Sequence, residues 1–96
     1  MAFYVYLMAN RKNGALYVGM TDDLLRRAWE HREGVVDGFT KKYGVIVLVW
    51  FEEHPTRESA FAREQSIKRW KRQWKIDLFR VSNPEWRDLF PELGLS

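Results

Sequence analysis

The segment spanning residues 3–20 constrains the fold more than any other. Two apolar-aromatic runs, Phe3–Met8 and Ala15–Met20, flank a polar stretch that contains Asn13-Gly14. An Asn-Gly pair accepts the positive φ angles of a tight turn, and Tyr, Val and Phe favour strands, so this segment predicts an antiparallel hairpin. A two-residue turn at Asn13-Gly14 would set Tyr17 opposite Asn10, whereas a four-residue loop over 10–13 would set it opposite Tyr6. In both registers Tyr6 and Tyr17 share a face, because strand side chains alternate with a period of two. A helix start follows at once. Thr21 or Asp22 is the expected cap of a helix from Asp22 to about Glu33, with Leu24, Leu25, Ala28 and Trp29 on one apolar arc and Arg27 and His31 at its edge.

Beyond the hairpin and its helix, Gly34–Gly44 reads as a surface connection carrying Lys41 and Lys42. Val45–Phe51, VIVLVWF, is a continuous β-branched and aromatic run, expected to be a third strand buried on both faces. His54-Pro55 ends it and Thr56 caps the longest helix, expected over 57 to about 72. On that helix Ala60, Phe61, Ile67, Trp70 and Trp74 span an arc that takes in Glu64. Ile76–Val81 predicts a further helix, and Asn83-Pro84-Glu85-Trp86 a short turn or helix closed by Pro91 and Gly94. A chain of 96 residues has too little core to divide, so residues 1–96 are expected to form a single α+β domain.

Sixteen Lys plus Arg against thirteen Asp plus Glu leave a formal charge of +3, which suits a polyanionic partner without demanding one. The placement is more telling. Lys68-Arg69-Trp70-Lys71-Arg72-Gln73-Trp74-Lys75 alternates cations with large rings, so it can grip phosphates while rings stack on bases. The same spacing also suits two core tryptophans beneath a solvated basic face, and we expect the tryptophans inward with the charges outward. Cysteine is absent, which excludes disulfides, thiolate zinc sites and a Cys nucleophile. No secretory leader is expected, since the N-terminal residues read as a patterned strand, and no apolar run approaches the ~20 residues of a membrane span. A cytoplasmic protein with no membrane partner is the expectation.

Several polar residues occupy positions where chemistry or simple pairing would explain them. Glu64 on an apolar arc needs a partner, because an unpaired buried charge costs several kcal/mol. Lys68 one turn on, or Arg63, could supply it; so could a cation, since Mg²⁺ is commonly held by one carboxylate plus water and phosphate oxygens. Arg27 could pair with Asp23 or present its guanidinium fork to a phosphate. His31 could carry a proton or serve as a hydrogen-bonded structural residue. Tyr6 and Tyr17 are ordinary strand residues unless their surroundings say otherwise. A tyrosine acting as base at neutral pH would need its pKa lowered by about three units, which is about 4 kcal/mol.

In order and spacing, these residues resemble the GIY-YIG nuclease superfamily, particularly its small stand-alone bacterial members. Tyr4-Val5-Tyr6 stands where that family has Gly-Ile-Tyr, and Tyr17-Val18-Gly19 looks like its Tyr-Ile-Gly element. Arg27 matches the arginine of the first helix, Glu64 in AFAREQSIKRW is similar to the metal-binding glutamate, and Asn83 in NPEWRDL to an asparagine near the family's C-terminal end. Two positions depart, Tyr4 for glycine and Met20 where several active relatives carry a basic residue. The resemblance implies a three-stranded antiparallel sheet flanked by helices and metal-dependent endonuclease activity on DNA. It assigns Glu64 to one Mg²⁺ (or Mn²⁺), Arg27 to the scissile phosphate and Tyr17 to the attacking water. Tyr6 and His31 assist, and Lys68, Arg69, Lys71, Arg72 and Lys75 form the nucleic-acid-binding run, with Lys41, Lys42 and Asn83 as further candidates. It also requires the Glu64 helix to close over the face shared by the tyrosines. The alternative is a catalytically weak nucleic-acid-binding module of the same fold, and in either case a protein partner could supply target specificity.

Overall fold

The computed structural model describes residues 2–35 and 38–93, so Val36, Asp37 and the expected stop at Gly94 lie outside it. The elements are β1 (Phe3–Ala9), β2 (Leu16–Thr21), α1 (Leu24–Arg32), α2 (Phe39–Tyr43), β3 (Val47–His54), α3 (Arg57–Lys68) and α4 (Arg72–Arg80), followed by a 3-10 turn at Phe90–Glu92. The three strands form one antiparallel sheet in the order β2-β1-β3. Among the described residues no helix is long and apolar enough to cross a membrane.

The hairpin adopts neither of the two anticipated registers. Met8 pairs with Tyr17 and Tyr6 with Gly19, leaving a four-residue loop at 11–14. Asn13 takes the left-handed conformation there, with φ 62°. Asn10 closes the loop, its Oδ1 accepting from the Ala15 amide at 2.8 Å, and only a glycine at 14 leaves room for that side chain. The actual register lies midway between the anticipated two, an even number of residues from each, so Tyr6 and Tyr17 still share a face.

β1, not the Val45–Phe51 run, is the central strand. Val5 through Ala9 are all buried, whereas β3 lies at an edge with Phe51 exposed. The sheet separates two apolar layers. Val5, Leu7, Ala9, Val18 and Val49 meet Ala60 and Ile67 of α3 and Phe79 of α4. Tyr6, Met8 and Leu48 meet Leu24 of α1 and Val45, with Tyr4 and Tyr17 packed against them. A bulge lets β3 serve both layers: Leu7 pairs with Trp50 but Met8 with Leu48, leaving Val49 as the extra residue.

That bulge and the exposed edge are covered by the chain after α4. Asn83 is buried; its Nδ2 donates to the Val49 carbonyl at 3.1 Å and the Arg87 carbonyl at 2.8 Å, and its Oδ1 accepts from the Arg87 amide at 2.8 Å. The Leu48 amide donates to Asp88 Oδ1 and the Leu89 amide to the Leu48 carbonyl. Edge groups that would otherwise template another strand are thus satisfied internally. Of the turn or helix expected at Asn83–Trp86, the turn forms: the Trp86 amide donates to the Asn83 carbonyl at 3.1 Å, Trp86 takes φ 58°, and its ring stacks edge-on at 5.0 Å from Phe79. Pro91 lies inside the 3-10 turn rather than ending an element.

Caps and breaks differ from the sequence reading in instructive ways. Asp23, not Thr21 or Asp22, caps α1 by accepting from the Arg26 amide, and Thr21 Oγ1 accepts from the Asp23 amide to set it up. Thr56 caps α3 as expected. α3 stops at Lys68 and α4 begins at Arg72. A continuous helix over 57–80 would be about 36 Å long, more than the longest dimension of the molecule, 31 Å. The break lets both Ile67 and Phe79 reach the same core. α1 also turns differently on the sheet: Leu24, Ala28 and His31 are inward, while Leu25 and Trp29 are exposed.

Candidate active site

α1 lies over the tyrosine face, and its inward turn carries His31 onto Tyr6. The Tyr6 hydroxyl and His31 Nε2 are 3.2 Å apart, and Arg27 Nε donates to the same hydroxyl at 3.4 Å. Tyr17 completes the group, its ring centroid 6.3 Å from that of Tyr6 and 5.4 Å from that of His31. Thus four residues separated in sequence meet at one corner of the sheet. Arg27 is anchored a second time: its NH1 group donates to Glu30 at 3.2 Å, while Arg26 approaches the other Glu30 oxygen at 3.5 Å. The anticipated Arg27–Asp23 pair does not form, because Asp23 is committed to the cap. Glu30 was missed in the sequence, although its spacing from Arg26 and Arg27 is that of helix neighbours.

Gly19 is what lets this cluster exist. A Cβ at that position would lie 2.5 Å from Cζ and from the hydroxyl oxygen of Tyr6, and 3.0 Å from Tyr17 Cε1. The Tyr6 ring therefore lies across the backbone of its cross-strand partner.

Burial governs the protonation states here. Loss of water pushes the Tyr6 phenol up to about 12, against the partly opposing hydrogen bond from Arg27, so Tyr6 is neutral. Loss of water, reinforced by the Arg27 charge, pulls His31 down to about 4, so its imidazole is neutral as well. Arg27 is pushed up further from its already high value, chiefly by its bond to Tyr6. With Arg27 donating to the hydroxyl, the economical network has Tyr6 donating its own proton to Nε2 of neutral His31. That places the ring proton on Nδ1, a buried atom with no hydrogen-bond partner.

Glu64 enters from the other side. α3 packs on the Val5–Leu7–Val18 layer, so it does not close over the tyrosine face; α1 does. The Glu64 carboxylate is buried, accepts from Gln65 Nε2 at 3.1 Å, and lies 3.5 Å from Lys68 Nζ. It is close enough to Tyr6 for its charge to help raise the phenol. Arg63, the other anticipated partner, is instead bonded to Glu52, which also meets His54 Nε2.

No group of three or more His, Cys, Asp or Glu side chains suited to a metal occurs among the described residues. Glu64 fits a hard, strongly hydrated cation held by one carboxylate with water and phosphate oxygens completing the shell, and does not fit a zinc or calcium cage. Lys68 is half exposed and on a flexible stem, so the Glu64 oxygens can be released to a cation.

The remaining sites fall elsewhere. Lys68, Arg69, Lys71 and Arg72 are exposed and Lys75 half-buried. Trp70 packs on the core but Trp74 is 50% exposed, its ring edge-on to Trp70 and 4.9 Å from Lys71 Nζ, so only one of the two tryptophans is inward. The α3–α4 break rotates Trp74 away from the arc that a single helix would give it, and Phe61 is exposed as well. Lys41 and Lys42 lie exposed on α2, within the expected surface connection. Asn83 is spent entirely on backbone groups of 49 and 87.

The sheet order, the paired tyrosines and the arginine on the covering helix define a known class. The GIY-YIG catalytic domain model matches residues 2–77, and the chain belongs to that family of nucleases. Within it, the chain is similar to UPF0213 proteins. One from Clostridium perfringens is 35% identical over 92 residues, covering 96% of this chain and 98% of that one. Another from Haloquadratum walsbyi is 37% identical over 75 residues, covering 78% and 83%. The solution NMR structure of a UPF0213 protein from Bacillus halodurans superimposes with a TM-score of 0.56 at 28% identity, covering all of both chains.

Proposed function

We propose that this protein is an endonuclease that hydrolyses DNA phosphodiester bonds with the help of Mg²⁺ or Mn²⁺, its site built from Tyr6, Tyr17, Arg27, His31 and Glu64. The observation that carries the reading is the shared hydroxyl: Tyr6 receives Arg27 and meets His31 at one buried point, so the guanidinium is aimed before any ligand arrives. Glu64 is the residue that would hold the cation, which when bound offsets charge on the phosphate and acidifies water. Arg27 uses Nε and NH1 on Tyr6 and Glu30 and offers its remaining N–H donors to the scissile phosphate. Held in this way it stabilises the charge that grows on the phosphate without first having to be ordered. Tyr6, its phenol pushed up to about 12 and so neutral at physiological pH, acts as a hydrogen-bonding group and not as a base. His31 is a positioning residue that holds the Tyr6 hydroxyl. Tyr17, less buried than Tyr6 and beside it, orients or deprotonates the attacking water. The exposed cations of 68–75 supply a salt-sensitive grip on the backbone.

The test is nicking of supercoiled, branched and single-stranded DNA with either cation, comparing wild type with Glu64→Gln, Arg27→Ala and Tyr17→Phe. Loss of roughly a hundredfold or more in Glu64→Gln and Arg27→Ala, with binding retained, is expected. Cutting by Glu64→Gln at the wild-type rate removes Glu64 from the site. Binding without cutting on every substrate would make the protein an accessory nucleic-acid-binding module instead.

A further inference from the structure

Next to the Tyr6–Arg27 corner, between the start of α1 and the start of α3, a cleft of about 640 Å³ opens to solvent. Arg27 lines it together with Arg26, Glu30 and Arg57, and Phe3 and Met20 form apolar parts of its wall. Asp22 and Asp23 line it too, but Asp23 is turned onto the Arg26 amide and Glu30 is flanked by both Arg26 and Arg27. Arg57 stands apart from these pairs. Its guanidinium is 5.2 Å from the Phe3 ring centroid, and among the described residues it has no carboxylate partner. A guanidinium seated on a ring and left unpaired is an anion receptor whose ordering cost is already partly met.

We propose that this cleft receives the nucleotide adjoining the scissile phosphate, and that Arg57 binds the phosphate on the far side of that nucleotide. The inference rests on Arg27 being the scissile-phosphate ligand, since Arg27 is the residue shared by corner and cleft. The backbone of a nucleic acid leaving Arg27 then passes to Arg57, with the sugar against Phe3 and Met20. Asp22, the acid there with no cation or amide partner among the described residues, fixes the polarity of the cleft by excluding phosphate from its own side.

Equilibrium binding without divalent cation tests this apart from cleavage. Fluorescein-labelled oligodeoxynucleotides, single-stranded and duplex, are titrated with wild type, Arg57→Gln and Arg57→Lys over a range of salt. Arg57 is exposed at the first turn of α3, so both variants should melt with the wild type. Arg57→Gln is expected to raise Kd about three- to tenfold and to lower the slope of log Kd against log salt by about 0.7 to 0.9, the value for one phosphate contact. Arg57→Lys should recover part of the affinity. A single methylphosphonate linkage that weakens wild-type binding should have no further effect on Arg57→Gln, and in substrates that are cut it should lie next to the cleaved bond. Unchanged affinity and salt slope in Arg57→Gln, equal sensitivity to every methylphosphonate, or no binding by wild type overturns the proposal. Binding that behaves as expected in a protein that never cuts would refute the nuclease reading while sustaining the cleft.

Discussion

Replacing Gly19 by alanine should unseat the site from beneath. The new methyl would lie 2.5 Å from Cζ and the hydroxyl oxygen of a Tyr6 ring that is only 1% exposed, where ordinary contact begins near 3.4 Å. The ring must withdraw by about 1 Å, a shift that well-packed interiors resist at a cost of about 1–3 kcal/mol. The same shift stretches the 3.4 Å bond from Arg27 and the 3.2 Å contact with His31 beyond useful length, stranding a buried imidazole for a further ~1 kcal/mol or more. A total near 3 kcal/mol is a large part of the ~5–15 kcal/mol available to a domain of this size. Urea unfolding at pH 7, followed by fluorescence of the five tryptophans, reads this directly. The decisive arm is a double-mutant cycle with Tyr6→Leu, in which the ring is gone and Gly19→Ala should cost under about 0.5 kcal/mol, a coupling of about 2 kcal/mol or more. Equal losses in both backgrounds, or an unchanged midpoint in Gly19→Ala alone, would show that the Tyr6–Gly19 contact does not organise the corner.

Three other outcomes follow from particular contacts. Because His31 is neutral in the folded protein down to about 4 but titrates near 6.5 when unfolded, the unfolded chain binds more protons between those values. Stability should be full above about pH 6.5 and fall by about 3 kcal/mol toward pH 4, and His31→Phe should flatten that part of the profile; an unaltered profile would place the acid sensitivity elsewhere. Asn83→Ala leaves the Val49 carbonyl of the bulge without its donor and should lower stability by about 3 kcal/mol in urea titration, while a loss under about 0.5 kcal/mol would deny the clamp its role. Trp74→Ala, at an exposed ring, should leave the melting temperature within a few degrees of wild type yet weaken nucleic-acid binding severalfold. A large drop in melting temperature would instead make Trp74 a core residue.

Local signals in the chain were strong where the physics is local. Asn13-Gly14 between aromatic runs, Thr56 as a cap and His54-Pro55 as a stop depend on neighbours within a few residues, and the structure places a hairpin, a helix start and a strand end there. That Tyr6 and Tyr17 share a face survived an incorrect register because pleat alternation depends only on parity. The order of Tyr6, Tyr17, Gly19, Arg27 and Glu64 along the chain was enough to suggest the family, since a family's spacing survives wherever its fold does.

What tertiary structure alone decided concerns which surfaces meet. Val45–Phe51 is the most apolar run, yet β1 is the strand covered on both faces, because centrality depends on pairing order and not on hydrophobicity. His31 lay at the edge of a helical arc on paper. The tilt of α1 over the sheet made it a buried partner of Tyr6 and left Trp29 and Leu25 outside. Periodicity aligned Trp74 with Trp70, but a helix kept short by the size of the core turned it into solvent. Residue types and their order therefore named the chemistry this chain could attempt. The packing of α1 across the tyrosines brought Tyr6, Tyr17, Arg27 and His31 to one corner and left Glu64 on the helix packed against the other face, since the distance between residues remote in sequence is set by how elements pack and by nothing in their local sequence.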